Sequence, residues 1–152
     1  MVTETRPWGS YTILFETPTY KVKKIVVEPG QRLSYQYHEK RYEHWYIIQG
    51  DGILTLNGVK SSVGPGNPVD IGIKVRHRIE CISNEPLIFI EIQRGVYLGE
   101  DDIVRLDDDY GRGDQRESQM VHSPPFLKKI NREIERLGNS FQAPDDFGVG
   151  LE

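Results

Sequence analysis

Residues 29–58 read PGQRLSYQYHEKRYEHWYIIQGDGILTLNG. Short runs of β-branched, aromatic and leucine residues are cut by Pro29-Gly30, Gly50-Asp51-Gly52 and Asn57-Gly58. Runs of about four to eight residues bounded by such breaks read as strands. Asn-Gly between two runs is a hairpin signal, because both residues tolerate positive φ.

The same grammar extends outward from Ser10 to Gln93. It predicts strands near Ser10–Phe15, Tyr20–Glu28, Arg32–His38, Glu43–Gln49, Gly52–Leu56, Pro68–Ile71, Arg76–Ser83 and Leu87–Gln93, with further breaks at Gly64-Pro65-Gly66 and Asn84-Glu85-Pro86. Composition agrees. The chain holds 15 Ile and 12 Val but a single Ala, Ala143, with 15 Gly and 9 Pro as punctuation. Helical proteins lean on Ala and Leu, whereas β-branched side chains suit a pleated sheet. Eight short strands at this spacing predict an all-β fold, a sandwich or barrel of the jelly-roll kind.

The pattern changes after Arg94. Glu100 to Asp109 carries six acids, and a turn follows at Gly111 to Gly113. One amphipathic helix is then expected near 124–137. Ser123 is its cap, Pro124 its first residue, Leu127, Ile130, Ile134 and Leu137 its apolar stripe, and Gly138 its stop. The stripe would pack on the barrel or on a partner subunit. The expected organisation is a barrel with a closing segment over 1–112 and an extension over 113–152.

At 152 residues the chain fits one domain. It has 19 basic and 23 acidic residues, a net charge of -4, which argues against a general nucleic-acid or anionic-membrane binder. Cys81 is the only cysteine, so no intrachain disulfide can form, and it reads as a small buried apolar residue. Met1 to Tyr11 lacks the apolar stretch of a signal peptide. No run approaches the roughly 18 apolar residues of a membrane span. A cytoplasmic protein with no nucleic-acid and no membrane partner is expected.

Strand parity singles out the residues that could carry chemistry. Side chains alternate between faces, so Gln36 and His38 point the same way. Glu43 opens the next strand on the face of Trp45 and Ile47, and His77 is in phase with Ile79 and Cys81. Two imidazoles, a carboxylate and an amide oxygen converging inside a barrel suit a divalent metal with open positions. The plainer alternative is a pair of structural histidines. His44 has the opposite parity and should face away. Trp8 and Trp45 read as packing, His122 as a surface residue. Asp101 and Asp102 are adjacent and so cannot share one strand face. Arg105 and Arg112 lie among acids, so surface ion pairing competes with any binding role.

The spacing Gly30, Gln36, His38, Glu43, Gly50 resembles the first cupin motif, and Gly66 with His77 a fainter second one. More narrowly, residues 5 to 112 resemble the C-terminal cupin of type II mannose-6-phosphate isomerases. The matching pieces are Arg6-Pro7-Trp8-Gly9-Ser10-Tyr11, Tyr20-Lys21-Val22-Lys23, Gln36-Tyr37-His38, Arg41-Tyr42-Glu43-His44-Trp45 and Val75-Arg76-His77-Arg78. The most specific block is Tyr97 to Arg105 with Asp109-Tyr110-Gly111-Arg112. The chain departs from the family where three histidines shrink to His38-Glu39-Lys40 and where Gly72-Ile73-Lys74 replaces a Pro-x-Gly turn. Residues after Arg112 run past the family's usual end. Larger relatives also carry an N-terminal pyrophosphorylase domain; this chain begins at the cupin, so guanylyl transfer is not expected of it.

The resemblance implies a double-stranded β-helix, the jelly-roll cupin barrel. It implies a metal-dependent aldose-ketose isomerase that interconverts mannose 6-phosphate and fructose 6-phosphate and supplies GDP-mannose synthesis. Gln36, His38, Glu43 and His77 would be the metal ligands, with zinc expected and Fe, Mn, Co or Ni also compatible with mixed nitrogen and oxygen donors. Arg41, Arg105 and Arg112 would be catalytic, and Lys23, Arg105 and Arg112 would bind substrate, since the guanidinium fork suits phosphate. The general base stays open, with Glu91 one candidate. Two alternatives stand beside this: a cupin isomerase acting on another sugar phosphate, and a non-catalytic sugar- or metabolite-binding cupin. A dioxygenase would explain neither Arg105 nor Arg112. A homodimer is expected, with Leu33, Tyr35 and Tyr37 as outward apolar positions.

Overall fold

In the computed structural model, residues 1–113 are described. They form eleven strands: β1 (Val2–Arg6), β2 (Gly9–Glu16), β3 (Tyr20–Val27), β4 (Tyr35–Tyr37), β5 (Arg41–Gln49), β6 (Gly52–Leu56), β7 (Val59–Val63), β8 (Pro68–Ile71), β9 (His77–Cys81), β10 (Leu87–Gly95) and β11 (Val104–Asp107). No helix occurs among the described residues. The helix expected near 124–137, and His122, lie outside them.

Two antiparallel sheets result. One has the order β1-β2-β3-β10-β5-β8, the other β11-β4-β9-β6-β7. β10 is the spine of the larger sheet: Phe89 stands opposite Ile25 on β3 and Ile47 on β5. The β6–β7 hairpin closes on Asn57 (φ 46°) and Gly58 (φ 81°), both in the left-handed region that a tight two-residue hairpin turn demands.

Between the sheets lies an apolar core in which Trp45, Phe89, Ile47, Ile79, Leu87 and Val27 are all fully buried. Trp45 and Phe89 pack with ring centroids 4.6 Å apart. Each such side chain contributes roughly 1.5–3 kcal/mol by leaving water. Cys81 is buried in the same cluster, as its sequence context predicts.

Three strands escape the sequence reading: β1, β7 and β11. Their residues are mostly exposed or half-buried, with only Val63 buried, so they show no apolar alternation. They are held by main-chain pairing with a patterned neighbour. The strand expected over Arg32–His38 is also shorter. Arg32 makes an isolated bridge to Glu80, and regular pairing resumes only at Tyr35. That irregularity breaks the parity expected for Leu33, which packs into the core instead of facing outward. Tyr35 and Tyr37 are half-buried. The exposed apolar side chains of the outer surface are elsewhere and include Tyr42, Tyr46, Ile48 and Ile92.

Candidate metal centre

The inward face of the larger sheet changes character along its length. On β3, Lys21 and Lys23 continue the buried row of Ile25 and Val27. On β5, Arg41 and Glu43 continue Trp45 and Ile47; on β10, Glu91 and Gln93 continue Leu87 and Phe89. The smaller sheet adds Gln36 directly opposite His77. One end of the barrel is therefore polar and buried.

At its centre stands Glu43. Its Oε1 is 3.0 Å from His38 Nε2 and its Oε2 is 3.7 Å from His77 Nε2. Two donors on one ion, each bound at about 2.1 Å, sit roughly 3–3.5 Å apart, so the first separation matches a shared cation and the second is slightly longer. Donor atoms of His38, Glu43 and His77 all lie within 4.8 Å of one another. Gln36 lines the same cavity as Glu43, its Oε1 accepting a 3.2 Å hydrogen bond from the Ser34 hydroxyl.

Both imidazoles are oriented from behind. His77 Nδ1 donates to the Val75 carbonyl at 2.8 Å, and His38 Nδ1 to the Asp102 carbonyl at 2.6 Å. A carbonyl only accepts, so each Nδ1 carries the hydrogen and each Nε2 turns to the centre. Burial pushes His77 down to about 4, so its ring is neutral near pH 7. Its Nε2 is buried and finds no hydrogen-bond partner. A buried lone pair left without a donor is costly; aimed at Glu43 beside a second imidazole, it is the arrangement a metal ligand needs. The residues present fit a divalent ion.

Burial alone would raise the Glu43 carboxyl, but His38 and Arg41 outweigh it and hold the group well below its usual range. Arg41 donates from Nε to Glu43 Oε1 at 3.0 Å, and its Nη2 is ion-paired with the same oxygen at 2.9 Å. The Trp45 indole N–H is shared between Glu43 Oε2 and Glu91 Oε2, at 3.1 Å from each. Glu91 is pushed up to about 7, first by burial and then by the negative charge of Glu43.

The remaining candidates surround the cavity beside this centre, which is lined by Lys23, Arg41, Glu91, Arg105 and Arg112 among others. Lys23 is ion-paired with Glu100 and sits 4.3 Å above the Tyr11 ring. Arg105 pairs in register with Gln36. Arg112 lies over the Tyr110 ring and is bonded to Asp108 at 2.8 Å, so the ion pairing considered for it is present together with its place on the cavity wall. His44 faces outward, its Nδ1 2.7 Å from Asp70. Asp101 and Asp102 diverge: the first is exposed and bonded to Tyr97, the second buried.

Three participants escaped the sequence reading. Lys21, almost fully buried, donates to the Leu98 carbonyl at 2.9 Å, and strand parity with Lys23 could have found it. Glu100 pairs with both lysines. Asp102 binds the His38 ring through its carbonyl and the backbone N–H groups of Glu39 and Lys40 through its carboxylate, at 3.0 Å each. Nothing local in sequence joins positions so far apart. The places where the family has further histidines, Glu39 and Lys40, lie on this exposed turn.

Two antiparallel sheets folded over a polar, histidine-bearing interior define a double-stranded β-helix of the cupin class. The chain belongs to the mannose-6-phosphate isomerase C-terminal family, whose model matches residues 2–108. It is 43% identical over 107 residues to a mannose-1-phosphate guanylyltransferase of Klebsiella pneumoniae, which covers 70% of this chain and 23% of that protein. It is 41% identical over 116 residues to the alginate biosynthesis protein AlgA of Pseudomonas aeruginosa, covering 76% of this chain and 24% of that one. The chain thus spans about a quarter of the length of these relatives. Among solved structures it resembles an uncharacterized protein with a double-stranded β-helix domain from Klebsiella pneumoniae, with TM-score 0.57 and 19% identity over 64% of this chain and 83% of that one. That likeness shows the fold.

These findings correct the expected activity. Interconversion of mannose 6-phosphate and fructose 6-phosphate was implied by resemblance to an isomerase. The Klebsiella relative instead carries the name of a guanylyltransferase, and the chain matches only a C-terminal, isomerase-like portion of such proteins. What stands is a cupin of the mannose-6-phosphate isomerase C-terminal family.

Proposed function

We propose that this module is a divalent-metal cupin that binds a phosphorylated sugar within sugar-nucleotide metabolism. The observation that carries the reading is the buried, unpartnered Nε2 of His77, aimed with His38 at the Glu43 carboxylate. Gln36, His38, Glu43 and His77 would hold the ion, and zinc suits two imidazoles and a carboxylate. When bound, the ion supplies a Lewis acid that polarises a ligand oxygen.

The chain's own residues do the rest. Lys23, Arg105 and Arg112 bring positive charge to the cavity wall and would grip the phosphate, the arginines through paired hydrogen bonds. Glu91, buried and pushed up to about 7, can hold or release a proton near neutral pH, and Trp45 fixes its position relative to Glu43. The relatives' name, mannose-1-phosphate guanylyltransferase, makes mannose phosphates the first ligands to try.

The test is metal analysis of chelator-stripped, zinc-reloaded protein, followed by calorimetry with a panel of hexose phosphates. The wild type should retain about one zinc per chain and lose it in His77→Ala, because ligand removal empties such a site. Lys23→Met and Arg105→Met should weaken hexose-phosphate binding while leaving the zinc in place. Full zinc retention in His77→Ala would refute the reading.

A further inference from the structure

Arg41 occupies an unusual position. It is 5% exposed, and its donors are directed at the atoms the metal reading assigns to the ion. Nε and Nη2 both meet Glu43 Oε1, and Nη2 is also 3.3 Å from His38 Nε2. Its other nitrogen, Nη1, makes only a long 3.4 Å contact with the Gly99 carbonyl, and the residue lines the cavity shared with Lys23, Arg105 and Arg112. One side of the guanidinium thus serves as the counter-cation of a buried carboxylate; the other faces the anion pocket.

His38 Nε2 has a single lone pair, which cannot be offered to an N–H and to a metal at once, and a divalent ion on Glu43 would be repelled by the guanidinium already held there. We propose that Arg41 and the divalent ion compete for Glu43 and His38, so that metal binding releases the guanidinium into the cavity as an extra ligand for a dianion. This rests on the metal reading given above and adds its regulation.

The charge balance agrees. Lys21, Lys23 and Arg41 face Glu43, Glu91 and Glu100, and Arg105 and Arg112 add further positive charge on the cavity wall. A divalent ion adds two more positive charges to this cationic set. A doubly charged anion offsets them, so a phosphate monoester should bind better after the metal than before. By reciprocity, the anion should tighten the metal equally.

The experiment uses zinc and inorganic sulfate, a dianion of phosphate's shape that does not precipitate the metal. In metal-free wild-type protein, sulfate should bind weakly; saturating zinc should tighten it about fivefold or more, the lower range of ordinary coupling. In Arg41→Met that enhancement should fall to the part supplied by the ion's own charge, and zinc itself should bind about tenfold tighter because its competitor is gone. Unchanged or weaker zinc affinity in Arg41→Met, or sulfate affinity indifferent to zinc in the wild type, overturns the proposal.

Should Arg41→Met not fold, the wild type carries the test alone. The Nε–H resonance of Arg41, sheltered by Glu43 in the metal-free protein, should shift or exchange rapidly on zinc addition. A resonance unmoved at zinc saturation overturns the proposal while leaving the metal site intact. Failure of the wild type to bind zinc at all overturns both readings.

Discussion

The two ends of the barrel interior are built by the same strands. On β3, β5, β9 and β10, one half of the inward row is Ile25 and Val27, Trp45 and Ile47, Ile79 and Cys81, Leu87 and Phe89. The other half is Lys21 and Lys23, Arg41 and Glu43, His77, Glu91 and Gln93. Backbone pairing is continuous across the boundary: Phe89 faces Ile25, and two residues on Glu91 faces Lys23. The strands thus anchor the fold with their apolar half and hold charged groups in place with the other. The polar half needs that rigidity, because its carboxylates and cations must meet at fixed distances while out of water.

Truncation in the apolar half should have the largest effect on stability. Phe89→Ala removes a fully buried ring packed on Trp45 and should cost about 3–5 kcal/mol, read from urea denaturation. A cost under about 1 kcal/mol, the scale of surface changes, would mean that this end is not the structural half.

The polar half should reveal itself through pH. Glu91 titrates near 4.5 unfolded and about 7 folded. The folded state therefore binds more protons between those values, so this group withdraws stability as pH rises from about 4.5 to 7 and nothing further above. The loss is on the order of 3 kcal/mol. Glu91→Gln keeps the side chain's size and removes the titration. The stability difference between wild type and variant should change across that window in metal-free protein. A constant difference from pH 4.5 to 7 would place Glu91 in an environment unlike the one described.

The smallest effect sharpens the boundary itself. Lys74 sits at φ 62°, in the left-handed region, and its N–H donates to the His38 carbonyl at 2.7 Å. A side chain there costs about 1–2 kcal/mol, which glycine's greater freedom when unfolded partly offsets. Lys74→Gly should gain about 0.5–1 kcal/mol in thermal or urea unfolding. A loss would show that the lysine side chain makes up for its strained backbone.

Legibility in the sequence follows the same division. The strands with an apolar half announce themselves by alternation, and Gly52–Leu56 and Pro68–Ile71 are predicted to the residue. β1, β7 and β11 lack that alternation and depend on neighbours for their existence. Parity was enough to bring Gln36, His38, Glu43 and His77 to one interior: Glu43 shares a strand face with Trp45 and Ile47, His77 with Ile79 and Cys81, and Gln36 and His38 are two positions apart. It failed at Leu33, where the chain leaves regular pairing. Asp102 and Glu100 were invisible for a different reason. They reach the centre from an irregular segment, through contacts such as Asp102 with His38 and Glu100 with Lys23, across 64 and 77 positions. The exchangeable role of Arg41 likewise depends on three-dimensional distances that no spacing encodes.

Anomalous diffraction at the zinc edge, on crystals of the zinc-loaded protein, tests the central claim most directly. The account predicts one strong peak bounded by His38, Glu43, His77 and Gln36. A peak confined to the exposed His44–Asp70 pair, with the interior empty, would contradict it.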